Sequence, residues 1–239
     1  MSPKSYRRGY PVAVLIGLEQ NQAALWQVFS QVAKHLRDIV LEGDRNQPKS
    51  IYNFHETIID AIRPILKEGI QSIIIASPSK TDYSQQLLNH IKGHHNWLVQ
   101  GPGKAAFSSI TGSASTASQV AALTQTPMFK QLIIDTTAEE TENLLEILER
   151  RLNASDNLVF FSLPESEHLI LDTQTIGKPK PEYLMLTDEY LSESRQKYRV
   201  QRLTQVAANK GVKTRVIRAE SAAGKRITQL GGLVCLARK

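Results

Sequence analysis

Three histidines in one short segment, His90, His94 and His95, form the densest group of potential metal ligands in the sequence. His90 and His94 are four residues apart, which places two side chains on the same face of a helix. Gly93 is expected to interrupt that helix, and no carboxylate or cysteine beside the histidines completes a zinc ligand set. The pattern favours a solvated helix end, and we expect neither a metal nor another cofactor.

Two further segments resemble catalytic motifs only in part. Residues 221–226 (SAAGKR) resemble a phosphate-binding loop, but such a loop needs glycine and a hydroxyl residue where this sequence has Ala219 and Arg226. Residues 111–118 (TGSASTAS) carry hydroxyl groups without the G-x-S-x-G pattern of a nucleophile elbow, and their composition is typical of a turn and a helix cap. The sequence therefore argues against a conventional enzyme.

Positive charge is concentrated at the C-terminal end of the chain. Residues 195–239 contain twelve Lys or Arg and one acid, a net charge of +11, whereas the whole chain carries +6 and residues 1–194 therefore carry −5. Such a distribution is typical of a surface that faces a polyanion, nucleic acid first, and the alternative is a solvated face without a partner. The candidate RNA- or ribosome-binding residues are Arg7, Arg8, Lys80, Arg195, Lys197, Arg199, Arg202, Lys225 and Arg226.

Length and cysteine content limit the class of protein. The 239 residues can form one large domain or two of about 110–120 residues. The single cysteine, Cys235, lies in an apolar run and cannot form an internal disulfide, which favours a reducing compartment. No apolar run reaches the roughly 18 residues of a membrane span, and residues 11–18 are interpreted as a buried strand rather than a signal peptide. We therefore expect a cytoplasmic protein with no membrane partner.

In the first half of the chain, hydrophobic periodicity predicts strands that alternate with helices. Residues 23–42 are ambiguous, because their apolar residues fit one helix or two strands, and the absence of Gly or Asn between the two halves favours the helix. The other predicted strands are 11–18, 71–76, 97–99 and 105–110, and the other predicted helices are 51–66, 82–91 and 119–123.

The second half continues the alternation. Thr136 and Thr137 stand three residues before Glu139 and Glu140, a capping box that predicts a helix start there. A long helix is predicted over 190–209, with Tyr198 facing inward. The other predicted elements are a short strand at 158–161, a helix at 164–171, a strand at 183–186, and a closing strand, helix and strand at 212–218, 225–230 and 233–237. This order is typical of a three-layer α/β domain.

Six short segments occur in an order shared with a known family. They are the opening strand with residues 23–25, residues 53–65 with the apolar strand ending in Ser77-Pro78, residues 109–112, residues 135–136, residues 184–191, and Gly224 with the closing LGG run at 230–238. From Val12 to Arg238 they resemble the central and C-terminal domains of Pelota, the ribosome-rescue relative of the eukaryotic and archaeal class-1 release factors.

The resemblance implies a two-domain α/β fold. After a flexible basic arm at 1–9, it implies an RNase H-like central domain at 10–127 and an L7Ae/L30e-like α/β/α sandwich at 128–239. It also implies a β-hairpin for the ambiguous residues 23–42. Gly224, Gly231 and Gly232 correspond to structural turn residues of the closing signature.

The resemblance also implies a function in translation. Pelota-like proteins enter the ribosomal A site with a translational GTPase and help to split stalled ribosomes without chemistry of their own. The implied partners are the ribosome, rRNA or tRNA, and a translational GTPase.

Several family features differ in this sequence. The family's N-terminal domain has no counterpart, its acidic C-terminal tail is missing, and its Ser-Pro-Gly-Phe motif is Ser77-Pro78-Ser79-Lys80. Release factors carry a Gly-Gly-Gln loop before the helix equivalent to 51–66, whereas this chain has Gln47 without the glycines that give such a loop its conformational freedom. Two alternatives stay open: a peptidyl-tRNA hydrolase-like release factor that uses the 42–50 loop, and a stand-alone RNA-binding L7Ae-like protein.

Overall fold

The chain alternates strands and helices, and the computed structural model describes residues 9–101, 103–154, 156–172 and 179–238. The strands are β1 (Pro11–Leu18), β2 (Gln22–Phe29), β3 (Ala33–Val40), β4 (Ser72–Ser77), β5 (Ala106–Thr111), β6 (Val159–Phe160), β7 (Lys180–Thr187), β8 (Lys213–Ile217) and β9 (Leu233–Arg238). The helices are α1 (Pro48–Lys67), α2 (Tyr83–His94), α3 (Asn96–Val99), α4 (Ala117–Gln125), α5 (Pro127–Asn153), α6 (Leu163–Leu171), α7 (Asp188–Glu193), α8 (Lys197–Asn209) and α9 (Ala222–Gln229).

These elements form two compact units. The first contains the chain up to residue 64 together with 71–140, and the second contains 65–70 and the chain from 141 onward. Residues 128–140 cluster with the first unit, where Phe129 is buried in the core and Leu132 packs against it.

The first unit is built on a mixed five-stranded sheet in the order β3-β2-β1-β4-β5. β1 is antiparallel to β2 and parallel to β4, and β4 is parallel to β5. The central strands β1 and β4 are apolar and buried along nearly their whole length, as expected for strands covered on both faces. One face packs on α4 and the start of α5, through a cluster that includes Leu15, Ile74 and Val120.

Residues 23–42 form the β2–β3 hairpin. The helix favoured by the residues alone is wrong, and the hairpin implied by the family resemblance is confirmed. Alternate side chains of β2, including Trp26 and Val28, enter the core, and Trp26 Nε1 donates a 2.8 Å hydrogen bond to the carbonyl of Ala114. These tertiary contacts outweigh the missing turn residues, because strand preference depends on packing more than on local propensity.

Three local predictions in the first unit are wrong. The predicted strand 97–99 is the short helix α3, and α2 continues through Gly93 to His94. The capping box predicted at Thr136 does not start a helix, because α5 begins nine residues earlier at Pro127, a residue with φ already suited to a first helical turn. Thr136 Oγ1 instead donates a 2.7 Å hydrogen bond to the carbonyl of Leu132 inside the helix.

The second unit is a three-layer sandwich around a four-stranded sheet in the order β6-β9-β7-β8. Alternation along β7 separates two cores: Leu184 and Leu186 face α6 and α8, and Tyr183 and Met185 face α9 and the last part of α5. β9 divides its side chains in the same way, which is the period-2 signature of a sheet covered on both faces. The predicted three-layer α/β arrangement is confirmed for this unit.

The predicted long helix over 190–209 is two helices, α7 and α8. Thr187 Oγ1 caps the first helix by accepting a hydrogen bond from the Tyr190 backbone N–H at 3.1 Å. Ser194 ends it and accepts a hydrogen bond from the backbone N–H of Gln196. Because α8 starts afresh at Lys197, Tyr198 is 89% exposed instead of facing inward, and that prediction is wrong.

Three glycines of the closing stretch stand where a side chain would collide with a neighbour or where the backbone has a positive φ. A Cβ on Gly224 would lie 1.9 Å from the carbonyl oxygen of Arg218. Gly231 and Gly232 have φ of +103° and +84°, and a Cβ on Gly232 would lie 2.7 Å from the Tyr190 ring. These positions therefore require glycine. In the part of the chain that the structure describes, no helix has the length and apolarity of a membrane span.

Candidate nucleic-acid interface

The solvent-facing side of α8 carries the most accessible group of cations in the second unit. Val200, Leu203 and Ala207 are buried and fix the inward face of the helix. With about 100° per residue, Tyr198 falls opposite this buried face, and Lys197 and Arg202 fall on either side of Tyr198, about 100° and 40° away from it. We call these three side chains the α8 basic face. They combine two cations with an exposed aromatic ring, the pairing used to hold phosphates and stacked bases.

Ion pairs neutralise part of the basic end of the chain. Arg199 on α8 pairs with Glu167, with Nε 3.1 Å from Oε1, and Arg226 on α9 pairs with Glu149 at 2.6 Å. Among the described residues, no ion pair joins Arg195, Lys197, Arg202 or Lys225 to a carboxylate, and all four are exposed. These four keep their charge available to a partner.

Within the second unit, the predicted basic residues lie on two different sheet faces. The α8 cations lie on the sheet face covered by α6 and α8, whereas Lys225 and Arg226 lie on α9, which covers the opposite face. Lys80 belongs to the first unit, exposed in the turn after β4 with φ of +63°. The candidates Arg7 and Arg8 lie outside the described residues. Of the predicted interface residues, Lys197, Arg199 and Arg202 share the first turns of α8, and all three are exposed.

The loop that precedes α1 is short and fixed to its own unit. Arg45 Nε donates a 2.7 Å hydrogen bond to the Gln20 carbonyl, and its guanidinium lies over the Tyr83 ring. Asp44 Oδ1 accepts a hydrogen bond from the backbone N–H of Asn46, which closes a local turn. Gln47 is exposed immediately before the first residue of α1, and its backbone N–H donates to the Asp44 carbonyl at 3.0 Å. The loop is anchored rather than extended.

The histidine segment lies beside a carboxylate that the sequence did not indicate. Glu56, on α1, accepts hydrogen bonds at its Oε1 from His90 Nε2 at 2.9 Å and His95 Nε2 at 3.0 Å. Only 6% and 8% of the two imidazole side chains are exposed, compared with 30% of the glutamate side chain. The pairing depends on the proximity of α1 and α2, which no local spacing shows, so sequence reasoning missed Glu56.

Burial and hydrogen bonding set the charge of this cluster. Burial lowers the pKa of His55 to about 4, with further lowering from the neighbouring His90 and Arg45 charges. Burial also lowers the pKa of His90, although the hydrogen bond to Glu56 acts in the opposite direction. Burial opposes the ionisation of Glu56, but the hydrogen bonds from His90 and His95 outweigh it and lower the pKa of that carboxyl. Near neutral pH, an ionised Glu56 therefore lies beside neutral His55 and His90 imidazoles.

Comparison with known proteins relates the fold to translation factors. No protein-family model and no curated protein matches the sequence. A solved structure of archaeal Pelota, from a model of ribosome-bound Pelota and ABCE1, matches 99% of this chain and 64% of that chain, with a TM-score of 0.54 and 15% identity. The chain has a Pelota-like fold. The family resemblance drawn from the order of the sequence segments is thereby confirmed at the level of the fold.

Other solved structures with Pelota-like folds are similar to this chain at lower scores. S. cerevisiae Dom34, described as a translation termination-like factor that interacts with Hbs1, is 17% identical with a TM-score of 0.49, over 94% of this chain and 62% of that chain. The archaeal termination factor aRF1 is 12% identical with a TM-score of 0.36, over 95% of this chain and 62% of that chain. This Pelota-like chain spans slightly less than two thirds of the length of these proteins.

Proposed function

We propose that this chain is a cytoplasmic translation factor that binds the ribosome in the manner of Pelota and has no catalytic chemistry of its own. The observation that carries the proposal is the Pelota-like fold along 99% of the chain, since the matching archaeal Pelota is a ribosome-bound protein. We further propose an RNase H-like first domain and an L7Ae-like second domain. The partners are the ribosome, through rRNA or tRNA, and a translational GTPase, as the sequence resemblance implies.

A fold does not fix a function, so the proposal also needs a surface suited to RNA. The α8 basic face supplies one. Lys197 and Arg202 are exposed and unpaired among the described residues, and each can neutralise a phosphate and release its counterion. Tyr198 is 89% exposed, so its ring contributes little to the stability of the fold. An exposed aromatic ring can stack on an unstacked RNA base.

The two alternatives are less favoured. A peptidyl-tRNA hydrolase would have to extend the Gln47 loop to its substrate, but Arg45 fastens that loop through Gln20 and Tyr83, and Gly-Gly is absent from it. A stand-alone RNA-binding protein would need only the second unit, whereas the likeness to Pelota extends along both units. In a release assay, Gln47→Ala is therefore expected to leave the rate of peptidyl-tRNA hydrolysis the same as with the wild-type chain.

Cross-linking followed by mass spectrometry in a lysate tests the proposal. The full chain, bearing a benzophenone amino acid at position 198, is irradiated, and the cross-linked RNA and peptides are identified. The proposal predicts cross-links to rRNA, tRNA or ribosomal proteins. Cross-links confined to components other than the ribosome, tRNA and translation factors would contradict it. The same probe at position 229, exposed at the end of α9 on the other sheet face, is the matched control.

A further inference from the structure

Three potential ligand atoms converge in the first unit, at a place that the proposed ribosome binding does not use. Glu56, His90 and His95 each offer one ligand atom, and these three atoms all lie within 4.8 Å of one another. Nε2 of each histidine contacts Oε1 of Glu56. We propose that this Glu-His-His cluster binds one divalent transition-metal ion, with Zn²⁺ as the ion that its donor set fits best.

The chain folds in a way that aims these three side chains at one point. Glu56 projects from α1 and His90 from α2. On a continuous helix, a residue five positions after His90 would point about 140° away from it. α2 ends at His94, and His95 has a non-helical backbone (φ −125°, ψ 55°), which returns its imidazole to the side of His90. The end of the helix therefore completes the cluster.

The distances suit a small cation. Zinc bonds of about 2.0–2.1 Å at tetrahedral angles separate ligand atoms by about 3.3 Å. The carboxylate oxygen lies 2.9 Å and 3.0 Å from the two Nε2 atoms, so a small opening of the cluster would admit the ion. Two imidazoles and one carboxylate form a ligand set known from zinc sites that keep a fourth position open for water or another ligand.

The hydrogen bonds of the cluster converge on one atom. Both imidazoles approach the same oxygen, Oε1, and no described side chain donates to Oε2 of Glu56. One carboxylate oxygen can accept both N–H groups, and the same convergence places the three ligand atoms as they lie around a cation.

The surroundings provide both support and access. The buried His55 ring packs edge-on against His90, with 5.0 Å between ring centres, and Tyr52 also packs against that imidazole at the same separation. These rings hold the imidazole orientation. The Glu56 side chain is 30% exposed and Tyr52 is itself exposed, so an ion can reach the cluster from solvent. A plausible site needs both a supporting shell and an entry path.

Zinc titration of the full chain tests the proposal. Tag-free protein is stripped with a chelator and titrated with Zn²⁺ alone in competition with a chromogenic chelator, and its thermal unfolding is followed with and without the ion. The proposal predicts one Zn²⁺ per chain and a rise in Tm. Substoichiometric binding with no shift in Tm would overturn it.

Variants locate the ion. Glu56→Gln keeps the size of the side chain, which is 30% exposed in the wild type, so the variant is expected to fold. It should weaken zinc binding by more than the roughly 10- to 100-fold loss typical of an outer-shell partner. His35→Asn is the matched control, because His35 also pairs with a carboxylate, Asp38, at 2.8 Å but belongs to β3. Equal affinity in Glu56→Gln and wild type would overturn the assignment. Co²⁺ in place of Zn²⁺ should give tetrahedral absorption bands in wild type that His95→Asn loses.

Discussion

The guanidinium of Arg45 stacks on the ring of Tyr83, with 3.7 Å between Cζ and the ring centre. The same guanidinium donates hydrogen bonds to the carbonyls of Gln20 and Glu19, at 2.7 Å and 3.2 Å. One side chain thus joins the loop before α1 to the turn after β1 and to the first residue of α2. The loop before α1 is therefore held against its own unit.

Removing this anchor should destabilise the first unit. Arg45→Ala loses a cation–π contact and two charge-assisted hydrogen bonds, and we expect the free energy of unfolding to fall by about 2 kcal/mol. Urea unfolding followed by circular dichroism measures the change. Arg37→Ala, at an exposed position on β3, is the control and should change stability by less than about 0.5 kcal/mol. Equal stability of the two variants would show that Arg45 does not anchor the loop.

Reversing the charge of the α8 basic face should weaken RNA binding. In the double variant Lys197→Glu/Arg202→Glu, two phosphate contacts are lost, so the slope of log affinity against log salt should decrease in magnitude by about 2. Fluorescence anisotropy with labelled rRNA fragments, measured over a range of salt, gives the slope. Lys225 lies on α9, on the other side of the sheet, so Lys225→Glu is the control and should leave the RNA affinity nearly unchanged. If it weakens binding as much as the double variant, the effect is one of net charge, and the α8 face is not the interface.

The exposed tyrosine of α8 should contribute through its ring. Tyr198→Ala is expected to lose about 1–3 kcal/mol of RNA-binding free energy, the usual value of one base stacked on an aromatic side chain. Tyr198→Phe keeps the ring and should bind like wild type. Both variants should unfold at the wild-type temperature, because the side chain is 89% exposed. Wild-type affinity in Tyr198→Ala would exclude a stacking role.

The cysteine should be unreactive while the protein is folded. Burial raises the pKa of the Cys235 thiol from its ordinary value of 9.0 to about 12, so almost no thiolate exists at pH 8. A thiol reagent at pH 8 should modify the protein only in denaturant. Because the unfolded thiol ionises first, stability should be constant below pH 9 and fall between pH 9 and 12, and Cys235→Ala should lack this component. Rapid labelling of the native protein would contradict the burial of this strand.

Local patterns in the sequence predicted the apolar strands well, because continuous burial on both faces leaves a clear signal in β1, β4 and β9. They failed where tertiary contacts decide the structure. The β2–β3 hairpin depends on Trp26 reaching the Ala114 carbonyl, 88 residues away. The break between α7 and α8 was missed for a different reason: it is marked by a local hydrogen bond of Ser194, which the apolar periodicity obscured.

The sequence predicted some residues of the candidate sites and missed others, because partners from distant segments meet only in the folded chain. Counting charge along the chain located the basic α8, but it did not show that Arg199 and Arg226 are already paired with acids from distant segments. The spacing of the histidines was visible, whereas Glu56 comes from a helix 34 residues earlier and joins them only through packing. The exposure of Tyr198 could not be predicted without knowing where α7 ends, because α8 starts afresh after that point.

Co-sedimentation with ribosomes tests the central claim most directly. Tag-free protein is layered with purified ribosomes on a sucrose cushion at low salt, about 50 mM, and the pellet is compared at increasing salt. We predict that the wild-type chain enters the pellet with ribosomes at low salt and is released as salt rises, whereas Lys197→Glu/Arg202→Glu stays in the supernatant. Wild-type protein that remains in the supernatant at the lowest salt would contradict the account.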